Sequence, residues 1–74
     1  MTRHPEGDEF LKQLGLNLKR VRQEKGISQY KLGLETETDA SYIRKIERGK
    51  QNLTILSLLN IAKVLDINII EVLP

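Results

Sequence analysis

The sequence predicts an all-α fold of five helices around one core. Apolar residues recur at helical spacings of three and four, as at Leu11, Leu14, Leu18 and Val21, which is the pattern of one buried helix face. No segment alternates apolar and polar residues as a half-buried strand does. With 74 residues, the chain is long enough for one domain.

The first helix is expected to begin after a polar segment. Residues 1–7 are predicted to form a flexible tail, which leaves residues 8–74 for the folded domain. Asp8 can accept a hydrogen bond from the unpaired N–H groups of the first turn and so serve as the N-cap. Lys25 followed by Gly26 predicts the end of this helix, because glycine readily adopts the left-handed conformation that follows many helices.

Two short helices joined by a tight turn follow. Ser28 is expected to cap a second helix over residues 29–35, and Asp39 is expected to cap a third helix over residues 40–48. Gly49 is expected to end the third helix, again through a left-handed backbone.

Two more helices complete the predicted fold. Thr54 is expected to cap a fourth helix over residues 55–65, and Asn68 is expected to cap a short fifth helix over residues 69–73. The helical spacing of apolar residues in the fourth helix predicts its buried stripe, namely Ile55, Leu58, Leu59, Ala62 and Leu65.

The composition narrows the class of protein. The chain contains no cysteine, so disulfides and thiolate chemistry are excluded and a cytoplasmic location is expected. Its start lacks the apolar core of a signal peptide, and no apolar run approaches the length of a membrane span, so no membrane partner is expected. The formal net charge of +2 is too small to identify a partner.

The basic residues are unevenly distributed along the chain. Within residues 40–63, five lysines and arginines accompany a single acid, Glu47. Residues 19–25 contain four basic residues and one acid, Glu24. A local basic face on a nearly neutral protein fits the binding of phosphate groups.

The third helix has the geometry of an element that reads DNA. At about 100° per residue, its cationic and small residues fall on one arc, and Ile43 and Ile46 fall on the opposite side. The members of the first arc are Ala40, Ser41, Arg44, Lys45 and Arg48. A small helix buried by one face and cationic on the other suits the major groove. The leading interpretation is therefore a sequence-specific protein whose partner is double-stranded DNA.

Three segments of the chain, in order, resemble one known family. They are LGLNLKRVRQEKGIS, YIRKIERGK and LLNIAKVLDINIIEVL. This pattern is similar to that of the phage repressor helix-turn-helix family, the Cro and lambda-repressor type that is also called the xenobiotic-response-element family. The resemblance implies a lambda-repressor-like DNA-binding domain in which the second and third helices form the helix-turn-helix.

The N-terminal part of the third helix is expected to contact bases. Arg44 is the first candidate, because its guanidinium can bond O6 and N7 of guanine together, for about 1–3 kcal/mol of discrimination. Lys45 can do the same less rigidly, Ser41 can donate or accept a hydrogen bond, and Ala40 can contact a thymine methyl group or leave clearance. Solvated charges on an exposed helix are the alternative for Arg44 and Lys45.

Several other polar residues are candidates for phosphate contacts. They are Gln29, Tyr42, Arg48, Lys50, Asn52 and Thr54. The resemblance implies that Gln29 bonds a phosphate at the start of the second helix, where backbone N–H groups are unpaired. Tyr42 can place its hydroxyl on a phosphate or serve only in packing. Lys50, Asn52 and Thr54 can contact phosphates on the opposite side of the groove, or they can serve only in the loop and in helix capping.

The resemblance also implies structural roles. It pairs Arg22 with Glu47 in a partly buried salt bridge between the first and third helices. Glu37 stands in the turn where the family often has glycine, and a left-handed backbone there would cost about 1 kcal/mol. Gly33 stands where the family usually has alanine, so it permits close helix packing but weakens the helix by about 1 kcal/mol.

Four apolar residues toward the C-terminal end fall outside the predicted core stripes. They are Leu53, Leu56, Ile70 and Leu73. A domain this small buries only about 60% of its unfolded surface, so self-association through these residues would stabilise it. We therefore expect a twofold homodimer that places two third helices in successive major grooves, about 34 Å apart, on a near-palindromic site.

The expected function is transcriptional regulation, with no catalytic residue, cofactor, metal or small-molecule ligand. The only histidine is His4, and turn and cap roles account for the clustered carboxylates of Glu35, Glu37 and Asp39. The chain is similar to restriction–modification controller proteins, and a small phage immunity repressor fits almost as well. An antitoxin-type module that binds a protein partner is the alternative of another class. Activation, repression and the operator sequence stay open.

Overall fold

The computed structural model describes residues 5–74, which form four α-helices and one 3-10 turn. These are α1 (Pro5–Glu24), α2 (Gln29–Glu35), α3 (Ala40–Glu47), α4 (Ile55–Leu65) and the 3-10 turn Ile69–Glu71. No strand occurs within this range, and none of its helices is long and apolar enough to cross a membrane. The all-α prediction is confirmed, whereas the prediction of five helices is wrong in its last member.

α1 begins earlier than the sequence analysis predicted. Pro5 occupies its first position, where the missing N–H costs nothing and the fixed φ favours a helix. Asp8 lies in the first turn, where a carboxylate interacts favourably with the positive end of the helix dipole. Asp8 is therefore inside the helix and is not its N-cap. Of the tail predicted over residues 1–7, the last three residues are helical, and residues 1–4 lie outside the described residues.

The beginnings of the next three helices follow from local hydrogen bonds, as predicted. The side chains of Ser28, Asp39 and Thr54 accept bonds from the backbone N–H groups of Lys31, Tyr42 and Ser57 at 3.0, 2.8 and 3.0 Å. Each cap pairs an N–H group that the helix itself leaves unpaired, and such a cap stabilises a helix by about 1 kcal/mol.

Each α-helix is followed by a residue with a left-handed backbone. These residues are Gly26 (φ 71°), Glu37 (φ 60°), Gly49 (φ 71°) and Asp66 (φ 57°). The next N–H group then bonds back into the last turn, as Thr38 does to the carbonyl of Gly33 at 2.7 Å. Glu37 thus adopts the conformation that the family's glycine would adopt, and the turn between α2 and α3 keeps its geometry at the expected cost.

The predicted fifth helix is a single 3-10 turn. Its predicted cap is present, because the Asn68 side chain accepts a backbone hydrogen bond from the turn at 3.0 Å. The turn ends at Glu71, and the next residue, Val72, is fully buried. The carbonyl of Val72 accepts from the side chain of Asn17 at 2.8 Å, which ties the C-terminal residues to α1.

The core lies between the four helices. Its buried apolar residues are Leu14, Leu18, Val21, Leu32, Ile43, Ile46, Leu58, Ile61, Ala62, Leu65 and Val72. The predicted stripe of α4 is wrong in part, since Ile55 and Leu59 are exposed and Ile61 is buried. α4 is apolar on nearly every side, so contacts with the other helices decide which face is buried.

Two glycines let neighbouring helices contact the two ends of α3. A Cβ atom at Gly33 would lie 2.5 Å from the backbone of Asp39, and one at Gly15 would lie 2.3 Å from the carbonyl oxygen of Ile46. The close packing expected at Gly33 is thereby confirmed. α2 therefore fixes the start of α3, and α1 fixes its end.

Candidate nucleic-acid interface

α3 buries one side and exposes the other. Ile43 and Ile46 hold it in the core. The four residues predicted to contact bases, Ala40, Ser41, Arg44 and Lys45, lie on the remaining surface, where the first is half-buried and the other three are exposed. The side that was predicted to face the groove is therefore accessible.

The exposed charges between residues 40 and 63 all have one sign. Glu47, the single acid within residues 40–63, is buried and paired with Arg22. The other charged residues of that segment are basic and exposed, namely Arg44, Lys45, Arg48, Lys50 and Lys63. These exposed cations attract the phosphates of a nucleic acid.

The structure places Arg22 and Glu47 together, and it adds Gln29 to the pair. Arg22 donates from Nε and Nη2 to the two carboxylate oxygens of Glu47, the second at 3.1 Å. Its Nη1 donates to the carbonyl of Ile27 at 2.8 Å. Gln29 Nε2 donates to Glu47 Oε1 at 3.0 Å. An amide nitrogen carries two hydrogens, so the second one can be donated to another acceptor while Glu47 holds the side chain in place.

A shallow depression lies where α1, α2 and α3 meet. Gln29, Arg44 and Arg48 line it, so the structure brings one base candidate and two phosphate candidates together. Lys12 and Lys19 of α1 line the same depression, although the sequence analysis did not single them out. Their spacing of seven residues, which is close to two helical turns, is the signal that places them on one face.

A second depression lies between the first half of α1 and the loop that follows α3. Arg48, Lys50 and Asn52 line it, and Lys12 borders it as well. Arg48 therefore joins the two depressions. The predicted phosphate candidates are divided between them, with Gln29 in the first and the loop residues in the second.

Tyr42 and Thr54 each have a structural role in this region. Tyr42 is half-buried and packs against the core. The hydroxyl of Thr54 caps α4 and also lies 3.0 Å from the hydroxyl of Ser57. The packing and capping alternatives are thus present, and phosphate contacts by these two hydroxyls stay predictions.

Apolar side chains are exposed on α4 and around the following turn, which packs against α4. Leu56 and Ile70 are 78% and 74% exposed, Leu73 is exposed, and Leu53 packs partly against the core. Ile55 and Leu59 join this surface, because they lie with Leu56 within an arc of about 100° on α4. The apolar periodicity of α4 predicts both in the core, and only the orientation of the helix reveals that they are exposed.

Comparison with known proteins agrees with this architecture. Residues 18–72 match the helix-turn-helix family. Over 60 residues, the chain is 32% identical to the uncharacterized HTH-type transcriptional regulator y4dJ of Sinorhizobium fredii, covering 81% of this chain and 78% of that protein.

The fold is similar to two crystal structures. One is the restriction-modification controller protein C.AhdI from Aeromonas hydrophila, with 35% identity and a TM-score of 0.80 over 84% of this chain and 94% of that one. The other is the DNA-binding domain of BldD, with 28% identity and a TM-score of 0.82 over 90% of this chain and 97% of that one.

Proposed function

The chain belongs to the helix-turn-helix family of DNA-binding transcriptional regulators, and from that premise we propose that α3 enters the major groove of an operator. The observation that carries the proposal is the orientation of α3, with Ile43 and Ile46 buried and the cationic side exposed. The groove is about 12 Å wide and a helix with its side chains is about 10–12 Å across. The exposed side of α3 can therefore reach base edges.

Base reading is assigned to the exposed residues of α3. Arg44 can donate to O6 and N7 of one guanine, and Lys45 and Ser41 can bond neighbouring bases. Ala40 is small and half-buried, so it lets the start of α3 approach the bases or contacts a thymine methyl group.

Phosphate contacts are assigned to both sides of α3. Gln29 has a second N–H to donate and lies at the start of α2, and Arg48 lies beside it across the first depression. Lys50 and Asn52 hold the other strand from the loop after α3. Phosphate contacts by the hydroxyls of Tyr42 and Thr54 would add to their packing and capping roles.

Selection of bound duplexes from a random pool tests this assignment. The parent protein should enrich one sequence. Arg44→Ala should lose about 1–3 kcal/mol of preference at one base pair per half-site. Arg20→Ala is the matched control, because Arg20 is an exposed arginine of α1 that pairs with Glu24 at 3.3 Å. If Arg44→Ala and Arg20→Ala enrich the same sequence with the same stringency, Arg44 does not read a base.

We propose further that two copies bind together, through the apolar surface of α4 and the following turn. A twofold partner would cover the exposed apolar residues of this surface, which stay in contact with water in an isolated domain. Sedimentation at fixed concentration tests this, with Ile70→Glu expected to give monomers that keep their helical content. Gln23→Glu, an exposed change on α1, should leave the dimer intact. A parent protein that sediments as a monomer would contradict the dimer without affecting the DNA assignment.

The similarity to C.AhdI supports a controller role in a restriction–modification system. Endonuclease and methyltransferase genes next to this one would support that role, and a prophage neighbourhood would favour an immunity repressor. The exposed apolar surface favours a second candidate, an antitoxin-type module with a protein partner. A parent protein that is monomeric alone and binds DNA only with such a partner would select it.

A further inference from the structure

The geometry points to a second phosphate-binding element outside the helix-turn-helix, formed by Lys19 and Lys12 on α1. Both side chains line the depression beside α3 that also contains Gln29 and Arg44. The inference rests on the proposed DNA binding and extends it, because it adds an α1 contact to those of α2, α3 and the following loop.

The position of these lysines relative to α3 is fixed by contacts between backbones. A Cβ atom at Gly15 would lie 2.3 Å from the carbonyl oxygen of Ile46, so α1 lies directly against the last turn of α3. A Cβ atom at Gly49 would lie 2.7 Å from the Cα atom of Lys12. Backbone contacts of this kind leave little room for sliding, so the two lysines stay beside the exposed side of α3.

The charge of the depression is strongly positive. Lys12, Lys19, Arg44 and Arg48 line it together with one carboxylate, that of Glu47. That carboxylate is already paired with Arg22 and bonded to Gln29, so it neutralises none of the four cations. Such a cluster of cations on the surface is stabilised by anions.

The phosphates of a duplex are the anions that fit this position. An α-helix with its side chains nearly fills the width of the major groove. A structural element that lies directly beside the inserted helix therefore meets the sugar–phosphate strand that borders the groove. Lysine suits this contact because its charge sits on a long flexible stem and needs no particular base.

Lys19 is expected to contribute more than Lys12. Asp8 and Glu9 lie four and three residues before Lys12 on the same helix, at spacings where unlike charges attract and offset each other. No acid lies three or four residues from Lys19 on either side. The positive potential at Lys19 is therefore less reduced by its neighbours.

The salt dependence of binding to a short duplex of arbitrary sequence tests this inference. Each phosphate contact contributes about 0.9 to the slope of log K against log salt. Lys19→Gln should lower the slope by about 0.9, and the double variant Lys12→Gln/Lys19→Gln by up to about 1.8. Glutamine forms helices about as well as lysine, so α1 should stay intact, which circular dichroism would check.

Lys31→Gln is the matched control. Lys31 is an exposed lysine of α2 that lies about 200° around the helix from Gln29, so its removal should leave the slope unchanged. If the parent binds the duplex and the double variant has the slope of the Lys31 control, the α1 inference is wrong and the proposed function stands. If the parent binds no duplex even at about 50 mM salt, the proposed function itself fails.

Discussion

The buried ion pair between α1 and α3 offers a sharp test of what stabilises the fold. Arg22 and Glu47 are only 8% and 6% exposed, and Glu47 accepts hydrogen bonds from both Arg22 and Gln29. The substitution Glu47→Gln keeps the size of the side chain, removes its charge and replaces one acceptor oxygen by an amino group. Arg22 is then a buried cation without a counter-charge.

The expected effect is a large part of the total stability. Removing one partner of a buried ion pair costs about 3–5 kcal/mol. A domain of 74 residues has a free energy of unfolding of about 4–11 kcal/mol, at about 0.05–0.15 kcal/mol per residue. For a urea slope of about 1 kcal/mol per M, the unfolding midpoint should fall by about 3 M or more.

Urea unfolding followed by circular dichroism measures this effect. The protein concentration must be fixed, because the proposed association of two copies would make the stability depend on it. The double variant Arg22→Met/Glu47→Leu should recover most of the loss, since well-packed apolar residues often replace a buried ion pair without cost. If Glu47→Gln unfolds within about 1 kcal/mol of the parent, Arg22 is solvated in solution and the reasoning is refuted. A double variant as unstable as Glu47→Gln would assign the loss to packing instead.

Three further substitutions test the glycines, the turn and the phosphate contact. Gly15→Ala should destabilise the fold by about 1–3 kcal/mol, because its Cβ atom meets the α3 backbone; Gly7→Ala, on the exposed first turn of α1, should not. Glu37→Gly should raise the urea midpoint by relieving a left-handed glutamate, a gain of up to about 1 kcal/mol. An unchanged or lower midpoint would show that the turn is unstrained. Gln29→Ala should weaken binding to all duplexes alike and leave the salt slope nearly unchanged, because a neutral side chain that bonds a phosphate releases no counterion; a sequence-selective loss would contradict a phosphate role.

Local chemistry explains why helix beginnings could be predicted from the sequence. The caps at Ser28, Asp39 and Thr54 each depend on one side chain and one N–H group three residues later. The end of α1 at Gly26 depends on one backbone conformation. The start of α1 was missed because Pro5 and Asp8 are both good residues for a first turn, and their order alone does not say which one begins the helix.

Features that depend on the packing of several helices could not be predicted in the same way. The buried face of α4 was one, because residues on nearly every side of that helix are apolar and periodicity allows either Ile61 or Leu59 in the core. The fifth helix was another, because the residue after its single turn, Val72, is buried in the core and bonded to Asn17 of α1. Both outcomes are set by contacts between segments far apart in the sequence.

The candidate interface also combines features that follow from a single helix with features that depend on the packing of several helices. The exposed side of α3 follows from the angles between its own residues, so Arg44 and Lys45 were identified from the sequence alone. The pairing of Arg22 with Glu47 was implied only by the family resemblance, since the two residues are on different helices. Lys19 belongs to a basic segment visible in the sequence, but its closeness to Gln29 arises only when α1 packs against α3.

The contacts that stabilise α3 also set the positions of the groups around it, and this decides how variants should be interpreted. Gly33 and Gly15 let α2 and α1 touch the two ends of α3. A larger side chain at either position must move α3 relative to Gln29 or Lys19, so it will weaken DNA binding without having touched DNA. A loss of affinity therefore reports a contact only at exposed positions whose variants keep the parent's stability, which is why Arg44 and Lys19 are the informative sites.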